Sequence, residues 1–282
     1  MTTSVLITGS DGFLGRHLVK HLRRQNMEVI PMNRSNGDTC KSATWHNYQS
    51  ANYVVHLAGA TFVPHSWSSP ARFIENNLIS TVHALDYCKE KNAKLIFLST
   101  YMYKTNDVKA VCENDKLSPA NPYALSKYYG ENICEFYFKN FGVASVLLRP
   151  FNVYGIGQSS QFLIPSLIKQ ARLSDEITVQ NLKPSRDYLY VDDLSEAVSK
   201  VIQAKIDFDI FNVGTGVSYS VIEVINTLSK VIGRKLRCHS IGVERIGEID
   251  YTRAENSHAK KELNWEPKWS LYDGLSTLWA EK

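Results

Sequence analysis

The sequence contains no apolar run that approaches the about 20 residues of a membrane-spanning helix. It also lacks a basic amino-terminal region followed by a long apolar stretch, so we expect no leader segment. The net charge is only +4, and basic residues are scattered, with Arg23-Arg24 the longest run of arginine. Nucleic acid is therefore a poor candidate for a partner. These absences predict a soluble, cytoplasmic protein that binds neither membrane nor nucleic acid.

Cysteine motifs are missing as well. The five cysteines are widely spaced and form no Cys-x-x-Cys; they are Cys40, Cys88, Cys112, Cys134 and Cys238. This pattern predicts reduced, partly buried thiols in a cytosolic protein rather than a disulfide framework. We expect no metal site.

Short apolar runs alternate with amphipathic stretches in the first half of the 282-residue chain. The runs predict strands at residues 5–7, 29–32, 53–58, 95–98 and 145–148, with helices at 13–24, at about 71–91 and from Pro122 onward. Such alternation is typical of an α/β fold with a doubly wound parallel sheet. Too few residues separate the second strand from the third for a further strand–helix unit, so one edge of the sheet should be trimmed.

The alternation loosens after about residue 155. The later pattern predicts helices at 162–173, 194–204 and 221–232, and strands at 177–179, 188–191 and 209–213. We therefore predict a Rossmann domain over residues 1–155 and a smaller, interleaved substrate-binding lobe over residues 156–282. Segments near 187–213 should return to the first domain.

A glycine turn joins the first predicted strand to the first predicted helix. Gly9 permits a tight turn, Gly12 lets the backbone approach a pyrophosphate, and Gly15 allows close packing of helix on strand. The helix N-terminus offers free N–H groups and partial positive charge to phosphates. The spacing is one residue wider than the usual fingerprint. A dinucleotide site is the favoured interpretation, and ordinary turn glycines are the alternative.

The end of the second strand bears on the choice of dinucleotide. An acidic residue there suits the ribose hydroxyls of NAD, whereas an arginine suits the 2′-phosphate of NADP. This chain has Asn33-Arg34-Ser35 at that point, and Arg16 follows the third glycine. Both guanidiniums are able to form charge-assisted bonds to a phosphate, and the alternative for each is a solvated surface charge. We favour NADP(H) over NAD(H).

Tyr123 and Lys127 lie four residues apart, just after Pro122, where a helix is expected. Residues at i and i+4 project from one helix face, so the ammonium can lie close to the phenol. A nearby cation lowers the pKa of a tyrosine and makes it a usable acid or base near neutral pH. A second pair, Tyr87 and Lys91, closes the preceding helix and should lie at the opposite rim of the sheet, as a feature of the surface.

A hydroxyl should complete the constellation. Ser99 and Thr100 follow the strand at residues 95–98, at the carboxyl end where α/β sheets bind ligands. Counting from the strand favours Thr100 as the reacting hydroxyl, and counting back from Tyr103 favours Ser99.

At this point the chain resembles an extended short-chain dehydrogenase/reductase of the nucleotide-sugar epimerase/dehydratase/reductase group. The resemblance covers nearly the full length. It rests on the glycine turn, residues 56–60 (His-Leu-Ala-Gly-Ala), Asn77, Ser99-Thr100, Tyr123 with Lys127, residues 148–155 (Leu-Arg-Pro-Phe-Asn-Val-Tyr-Gly), 186–193 (Arg-Asp-Tyr-Leu-Tyr-Val-Asp-Asp), 211–214 (Phe-Asn-Val-Gly) and 262–267 (Glu-Leu-Asn-Trp-Glu-Pro).

The resemblance implies roles for individual residues. Tyr123 would exchange a proton with the sugar oxygen, Lys127 would lower its pKa and hold the nicotinamide ribose, and Ser99 or Thr100 would bind the reacting oxygen. Cofactor contacts are expected from Gly9, Gly12, Phe13, Leu14, Gly15, Asn33, Arg34, Leu57, Ala58 and Lys127. A nucleotide-diphosphate sugar would be bound by Asn152, Arg186 and Arg245. For Arg186 the alternative is a salt bridge to Asp187 or Asp192.

The resemblance also limits the reaction. Dehydratases of this group carry Thr-Asp-Glu after the strand, whereas Thr100 is followed here by Tyr101-Met102, which argues against dehydration. We expect an NADP(H)-dependent reductase of a 4-keto-6-deoxy nucleotide-diphosphate sugar, with an NAD-dependent nucleotide-sugar 4-epimerase as the alternative. A redox-silent dinucleotide-binding regulator is a further possibility that the intact Tyr123, Lys127 and hydroxyl set disfavours. Pairing of two long helices is the group's usual dimer contact, so a homodimer is expected.

Overall fold

The computed structural model of this chain describes residues 2–104, 110–243 and 246–281. Strands and helices alternate along its first half. In chain order these are β1 (Ser4–Thr8), α1 (Phe13–Arg24), β2 (Glu28–Met32), α2 (Ser42–His46), β3 (Tyr53–His56), α3 (Val63–Ser68), α4 (Pro70–Ile74), α5 (Ser80–Lys91), β4 (Lys94–Leu98), β5 (Tyr103–Lys104), β6 (Ser118–Pro119), α6 (Pro122–Phe141) and β7 (Ser145–Pro150).

The second half mixes short strands with helices. Its elements are β8 (Asn152–Tyr154), α7 (Leu163–Leu173), β9 (Glu176–Val179), β10 (Ser185–Tyr190), α8 (Val191–Gln203), β11 (Phe208–Val213), β12 (Ser218–Ser220), α9 (Val221–Ile232), β13 (Arg237–Ser240), α10 (Ser257–Leu263) and α11 (Leu271–Ala280).

A six-stranded sheet with the order β11-β7-β4-β3-β1-β2 forms the centre of the molecule. Every neighbouring pair in it is parallel, which confirms the predicted doubly wound sheet. Strand β2 lies at the edge because residues 33–52 form only a 3-10 turn (Arg34–Asn36) and α2. The predicted trimming of that edge is thus confirmed.

Helices cover both faces of this sheet. On one face the side chains of Leu18 and Leu22 from α1 pack in one cluster with Val198 and Val201 from α8. The other face is covered by α2, α5 and α6, through residues such as Trp45, Leu85 and Cys134. Strands buried on both faces explain why their sequences are continuous apolar runs rather than alternating ones.

The second half builds a separate apolar cluster. Helices α7, α9 and α11 bury Leu167, Leu228 and Leu275 there, next to a three-stranded sheet with the order β12-β10-β8 and the pair β13-β9. Strand β11, by contrast, joins the large sheet beside β7, and α8 lies with α1. The domain boundary at residue 155 stays a prediction.

The long helix expected at residues 71–91 is present and contains one irregularity. The segment is divided into α4, a π-helical turn (Glu75–Ile79) and α5, with α3 preceding it. A π turn adds a residue to the helical repeat and buries the Asn77 side chain beneath the neighbouring loop. The sequence does not reveal this π turn, because the extra residue shifts the spacing of apolar residues along the helix by only one position.

The five cysteines are free thiols, of which Cys88 and Cys134 are buried. Within the described ranges no helix is both long and apolar enough to cross a membrane.

Candidate active site

The glycine turn connects β1 to α1 with little space around its backbone. Gly9 has a φ of +67°, and a Cβ atom at Gly15 would lie 2.2 Å from the Gly9 carbonyl oxygen. A side chain at either position would therefore strain the turn or separate the helix from it. The backbone N–H of Gly12 donates to the same carbonyl at 3.0 Å.

The N-terminus of α1 has the donors that a pyrophosphate requires. No side chain caps it, and its first turn holds no acidic residue. The backbone N–H groups of Phe13 and Leu14 are therefore without intrahelical acceptors and point out of the helix end with its partial positive charge. These residues fit a dinucleotide, as the sequence predicts.

A buried hydrogen-bond chain joins the ends of β1 and β3 below this turn. The Thr8 hydroxyl accepts from the backbone N–H groups of Leu57 (3.1 Å) and Ala58 (3.0 Å) and lies 2.9 Å from Nδ1 of His56. Burial lowers the pKa of His56 to about 3, so the ring is neutral and its Nδ1 accepts from Thr8. Nε2 then carries the hydrogen and donates to Ser80 Oγ at 3.2 Å. Leu57 and Ala58 are thereby fixed beside Gly9.

Asn77 connects this region to α6. Its Oδ1 accepts from the backbone N–H of Ala60 at 2.7 Å, and its Nδ2 donates to the Ser126 hydroxyl at 2.8 Å. The side chain is almost fully buried, and the π turn places it there. Sequence reasoning included Asn77 only as part of a resemblance and assigned it no role.

Helix α6 begins at Pro122, capped by Asn121, whose Oδ1 accepts from the Ala124 N–H at 2.8 Å. From its first turn the Tyr123 phenol approaches the Thr100 hydroxyl closely enough for that hydroxyl to influence its pKa. One turn later Lys127 donates to the Leu98 carbonyl at 2.7 Å. The structure thus brings the predicted tyrosine, lysine and hydroxyl together at the carboxyl end of β4.

The pKa of Tyr123 differs from the sequence expectation. Burial raises it to about 12, and the Thr100 hydroxyl opposes that rise. Among the described residues, Tyr101 also acts on this pKa and Lys127 does not. The expected lowering by Lys127 is wrong in this structure, because its ammonium faces the Leu98 carbonyl and the ring of Phe97, 4.8 Å from the ring centroid. Burial lowers the pKa of Lys127 to about 8.

Ser99 faces a different partner. Its hydroxyl hydrogen-bonds Glu131 and the Tyr103 hydroxyl, the latter at 3.1 Å. Glu131 in turn forms a two-pronged ion pair with Arg149, with Nε–Oε1 at 3.0 Å and NH2–Oε2 at 2.7 Å. This buried cluster was missed from the sequence, although Glu131 follows Tyr123 and Lys127 at the same helical interval. It holds α6 against β4 and β7 and leaves Thr100 as the hydroxyl beside Tyr123.

Asn33 and Arg34, the residues predicted to bind the 2′-phosphate of NADP, follow directly after β2. This strand contacts the glycine turn through a hydrogen bond from the Ser10 N–H to the Met32 carbonyl, 3.2 Å long. The Asn33 side chain caps the 3-10 turn by accepting from the Ser35 N–H at 3.0 Å. Arg34 is exposed.

Arg16 is held by backbone carbonyls, donating to Asp11 at 2.8 Å and to Gly157 at 3.4 Å. It therefore connects α1 to the loop after β8 rather than facing Arg34.

The predicted substrate residues lie on β8 and β10. The Asn152 amide accepts from the Tyr101 hydroxyl at 2.7 Å. Arg186 pairs with Glu248, with NH2–Oε1 at 3.4 Å, so the suggested partners Asp187 and Asp192 are wrong.

The reason is that both aspartates are engaged elsewhere. Asp187 accepts from Thr215 and from backbone N–H groups including that of Gly216 at 2.9 Å, and Asp192 faces His17 at 3.2 Å. Arg245 lies outside the described residues.

The second Tyr-x-x-x-Lys pair is at the amino-end rim, as predicted, but Tyr87 is not on the surface. Its ring is 3% exposed and packs on Trp45 with centroids 5.7 Å apart, and its hydroxyl donates to the Gln49 carbonyl. Lys91 pairs with Glu90 at 2.7 Å. The expectation of a surface feature fails because α5 turns this tyrosine toward the sheet.

Comparisons with known proteins agree with this geometry. The family model "NAD dependent epimerase/dehydratase family" matches residues 5–214. The chain is 30% identical over 238 residues to GDP-6-deoxy-D-talose 4-dehydrogenase of Aggregatibacter actinomycetemcomitans, covering 80% of this chain and 79% of the relative.

Two further similarities extend over nearly the whole chain. It is 27% identical to GDP-6-deoxy-D-mannose reductase of Pseudomonas aeruginosa, covering 100% of this chain and 97% of the relative. The solved UDP-glucose 4-epimerase of Thermotoga maritima with UDP-glucose superimposes with a TM-score of 0.92 at 25% identity, covering 98% and 97% of the two chains. The chain therefore belongs to the NAD dependent epimerase/dehydratase family, and it is an NAD(P)-dependent oxidoreductase or epimerase.

Proposed function

We propose that the protein is an NADP(H)-dependent reductase of a 4-keto-6-deoxy nucleotide-diphosphate sugar. The observation that carries this proposal is the end of β2, where an exposed Arg34 lies near the glycine turn and residues 33–37 contain no carboxylate. A guanidinium at this point suits the 2′-phosphate of NADP, whereas an acidic residue would suit the ribose hydroxyls of NAD. The two relatives that act on GDP-6-deoxy sugars are consistent with this substrate class.

The protonation state of Tyr123 supports the direction of reduction. The bound reduced nicotinamide would supply a hydride to the keto carbon. With a pKa near 12, the phenol is protonated at neutral pH and is ready to donate its proton to the oxygen on which negative charge develops. The neighbouring Thr100 hydroxyl would hold the same oxygen.

Lys127 would hold the nicotinamide ribose, the role that the family resemblance implies. Its lowered pKa of about 8 still leaves the ammonium mostly protonated at pH 7. Because Lys127 is held on the Leu98 carbonyl, its position is fixed before substrate binds.

Substrate binding would use the face of the three-stranded sheet. Strands β8 and β10 pair in parallel with Asn152 opposite Tyr188, so Asn152 and Arg186 lie on one face. We propose that Arg186 exchanges its Glu248 partner for the diphosphate and that Asn152 binds the sugar nucleotide. Arg245 keeps the diphosphate role implied by the family resemblance.

A nucleotide-sugar 4-epimerase is the second candidate, favoured by the similarity to the Thermotoga maritima enzyme. The same tyrosine would then act as base and acid in succession, with no net consumption of cofactor. This route requires Tyr123 to lose its proton first, which a pKa near 12 opposes.

The test follows cofactor absorbance. Purified protein is mixed with NADPH and a 4-keto-6-deoxy sugar attached to GDP or dTDP. We expect the NADPH band to fall in proportion to the product formed, and the protein to purify with little bound NAD. Stoichiometric NAD in the purified protein, together with interconversion of two UDP-sugars without added reductant, would establish the epimerase instead.

We also propose that the protein is a homodimer. The outer surfaces of α6 and of the π turn before α5 expose large apolar side chains, including Ile79, Tyr129 and Phe136 at 41–52% exposure. Light scattering should give twice the chain mass, and Phe136→Asp should reduce it to the mass of one chain.

A further inference from the structure

Tyr101 follows Thr100 and has no role in the mechanism above. Its ring is buried and stacks on Phe151, with centroids 5.0 Å apart and an angle of 20° between the rings. Its hydroxyl donates to Asn152 Oδ1 at 2.7 Å. The stack fixes the ring and the hydrogen bond fixes the direction of the hydroxyl, so this phenol is held in one orientation.

The Tyr101 hydroxyl lies between the two ends of the proposed substrate. Toward one end, Tyr101 directly follows Thr100, the hydroxyl beside Tyr123. Toward the other end, its hydroxyl donates to Asn152 on β8, which pairs with β10, the strand that carries Arg186. Burial raises the pKa of Tyr101, and the Arg186 guanidinium opposes that rise. Tyr101 thus neighbours both the proton donor and the proposed diphosphate ligand.

The covalent structure of a nucleotide-diphosphate sugar determines which part of it would lie between Tyr123 and Arg186. The diphosphate is attached to C1 of the pyranose, and the reacting C4 lies across the ring. If Tyr123 acts at C4 and Arg186 holds the diphosphate, the pyranose spans the space between them. We propose that Tyr101 binds this pyranose ring, with its hydroxyl bonded to a sugar oxygen and its ring edge against the apolar side of the sugar.

This inference rests on the proposed function, and it assigns a binding role that differs from proton transfer. The hydroxyl of Tyr101 is already bonded to the Asn152 amide, so the sugar would meet a pair of polar groups in a fixed arrangement. A preformed pair loses little entropy on binding. Tyr101 would therefore contribute to recognition of the sugar and not of the nucleotide.

The experiment compares sugar nucleotides with the bare nucleotides by calorimetric titration. The probes are UDP, GDP and dTDP, each with and without an attached hexose. Tyr101→Phe keeps the stack on Phe151 and removes only the hydroxyl. We expect the sugar nucleotide to bind about tenfold more weakly, from loss of one hydrogen bond, with the bare nucleotide and NADPH unchanged. Tyr87→Phe, a buried tyrosine at the opposite rim, is the matched control.

Two outcomes of this titration would overturn the proposed role of Tyr101. Equal weakening of the nucleotide and its sugar conjugate would mean that Tyr101 acts through Arg186 at the diphosphate. No change in either would make it a packing residue. If Tyr101→Phe does not fold, Tyr101→Met fills a similar volume and is tested in the same way. A wild type that binds the sugar conjugates but reduces no 4-keto sugar would contradict the proposed reaction while leaving the Tyr101 comparison intact.

Discussion

The two rims of the central sheet each carry a Tyr-x-x-x-Lys pair, and only one of them lies in the proposed active site. Tyr123 and Lys127 are at the carboxyl-end rim, and Tyr87 and Lys91 are at the amino-end rim. In both pairs burial raises the pKa of the tyrosine to about 12. A buried phenol with a raised pKa is therefore not what distinguishes an active pair from a packed one.

The difference lies in the lysine and in the group that the phenol meets. Lys127 is buried and bound to the Leu98 carbonyl, whereas the Lys91 side chain is 27% exposed and paired with Glu90. Tyr123 meets a hydroxyl, which can hold a third group, while Tyr87 donates to a backbone carbonyl. We therefore propose that a buried lysine and a tyrosine beside a hydroxyl distinguish the catalytic pair from the structural one.

The largest difference in turnover should be between the variants of the two tyrosines. Tyr123→Phe removes the proposed proton donor, so turnover should fall by about 10²–10⁴ while NADPH binding is kept. Steady-state kinetics and a cofactor titration measure both quantities. Tyr87→Phe should leave turnover unchanged and lower the free energy of unfolding by about 1 kcal/mol, since it loses one buried hydrogen bond. Full activity in Tyr123→Phe would show that the two rims do not differ as argued.

Substitution of the two lysines should likewise affect activity only at the carboxyl-end rim. Lys127→Met removes the buried positive charge and keeps a side chain of nearly the same length. Turnover should fall by about 10²-fold, with weaker NADPH binding. Lys91→Met, at the solvent-facing pair, should change neither value. If both variants behave alike, burial of the lysine does not define the site.

Arg34 tests which dinucleotide the carboxyl-end rim selects. Arg34→Ala should weaken NADPH binding by about 1–3 kcal/mol and leave NADH binding nearly unchanged, because only NADPH carries the 2′-phosphate. Arg24→Ala, an exposed arginine at the opposite end of α1, serves as the control. Equal affinities of the wild type for NADPH and NADH would exclude the proposed preference.

The smallest difference should be in the pH dependence of stability contributed by two histidines of α1, His17 and His21. The hydrogen bond to Asp192 raises the pKa of His17, and its other nitrogen contacts the Ile156 carbonyl at 2.9 Å. Burial lowers the pKa of His21. Protonated His17 therefore stabilises the fold fully below about pH 6.5, and this contribution disappears as pH rises through its raised pKa. Protonated His21 has the opposite effect and costs stability as pH falls through about 6.5.

Urea unfolding at several pH values measures this contrast. His17→Gln should lower the unfolding free energy at pH 6 by about 1–2 kcal/mol, and less at pH 9. His21→Gln should show no such loss at pH 6. Parallel curves for the two variants would exclude the role of His17 as a charged link between α1 and Asp192 of α8.

Much of this arrangement is predictable from the sequence because it depends on local chemistry. The bounds of α1 and α9 agree with the apolar spacing at residues 13–24 and 221–232. The glycine turn is recognisable because Gly9 and Gly15 are needed for a positive φ and a close approach. Tyr123, Lys127 and the hydroxyl follow from their places on a helix and after a strand.

Other features depend on contacts that sequence spacing does not encode. The choice between Ser99 and Thr100 requires knowing that Glu131 and Arg149 occupy the Ser99 side. Burial of Tyr87 depends on how α5 is rotated against the sheet. The Glu248 partner of Arg186 is 62 residues away along the chain, beyond any local pattern.

The position of β11 has a consequence for synthesis of the chain on the ribosome. Strand β7 pairs with β4 on one side and with β11 on the other, and the last residue of β11 is Val213. Until that residue emerges, β7 presents an unpaired edge with apolar side chains, a surface that invites pairing with other nascent chains. The six-stranded sheet is therefore complete only after residues from both halves of the chain have been synthesised.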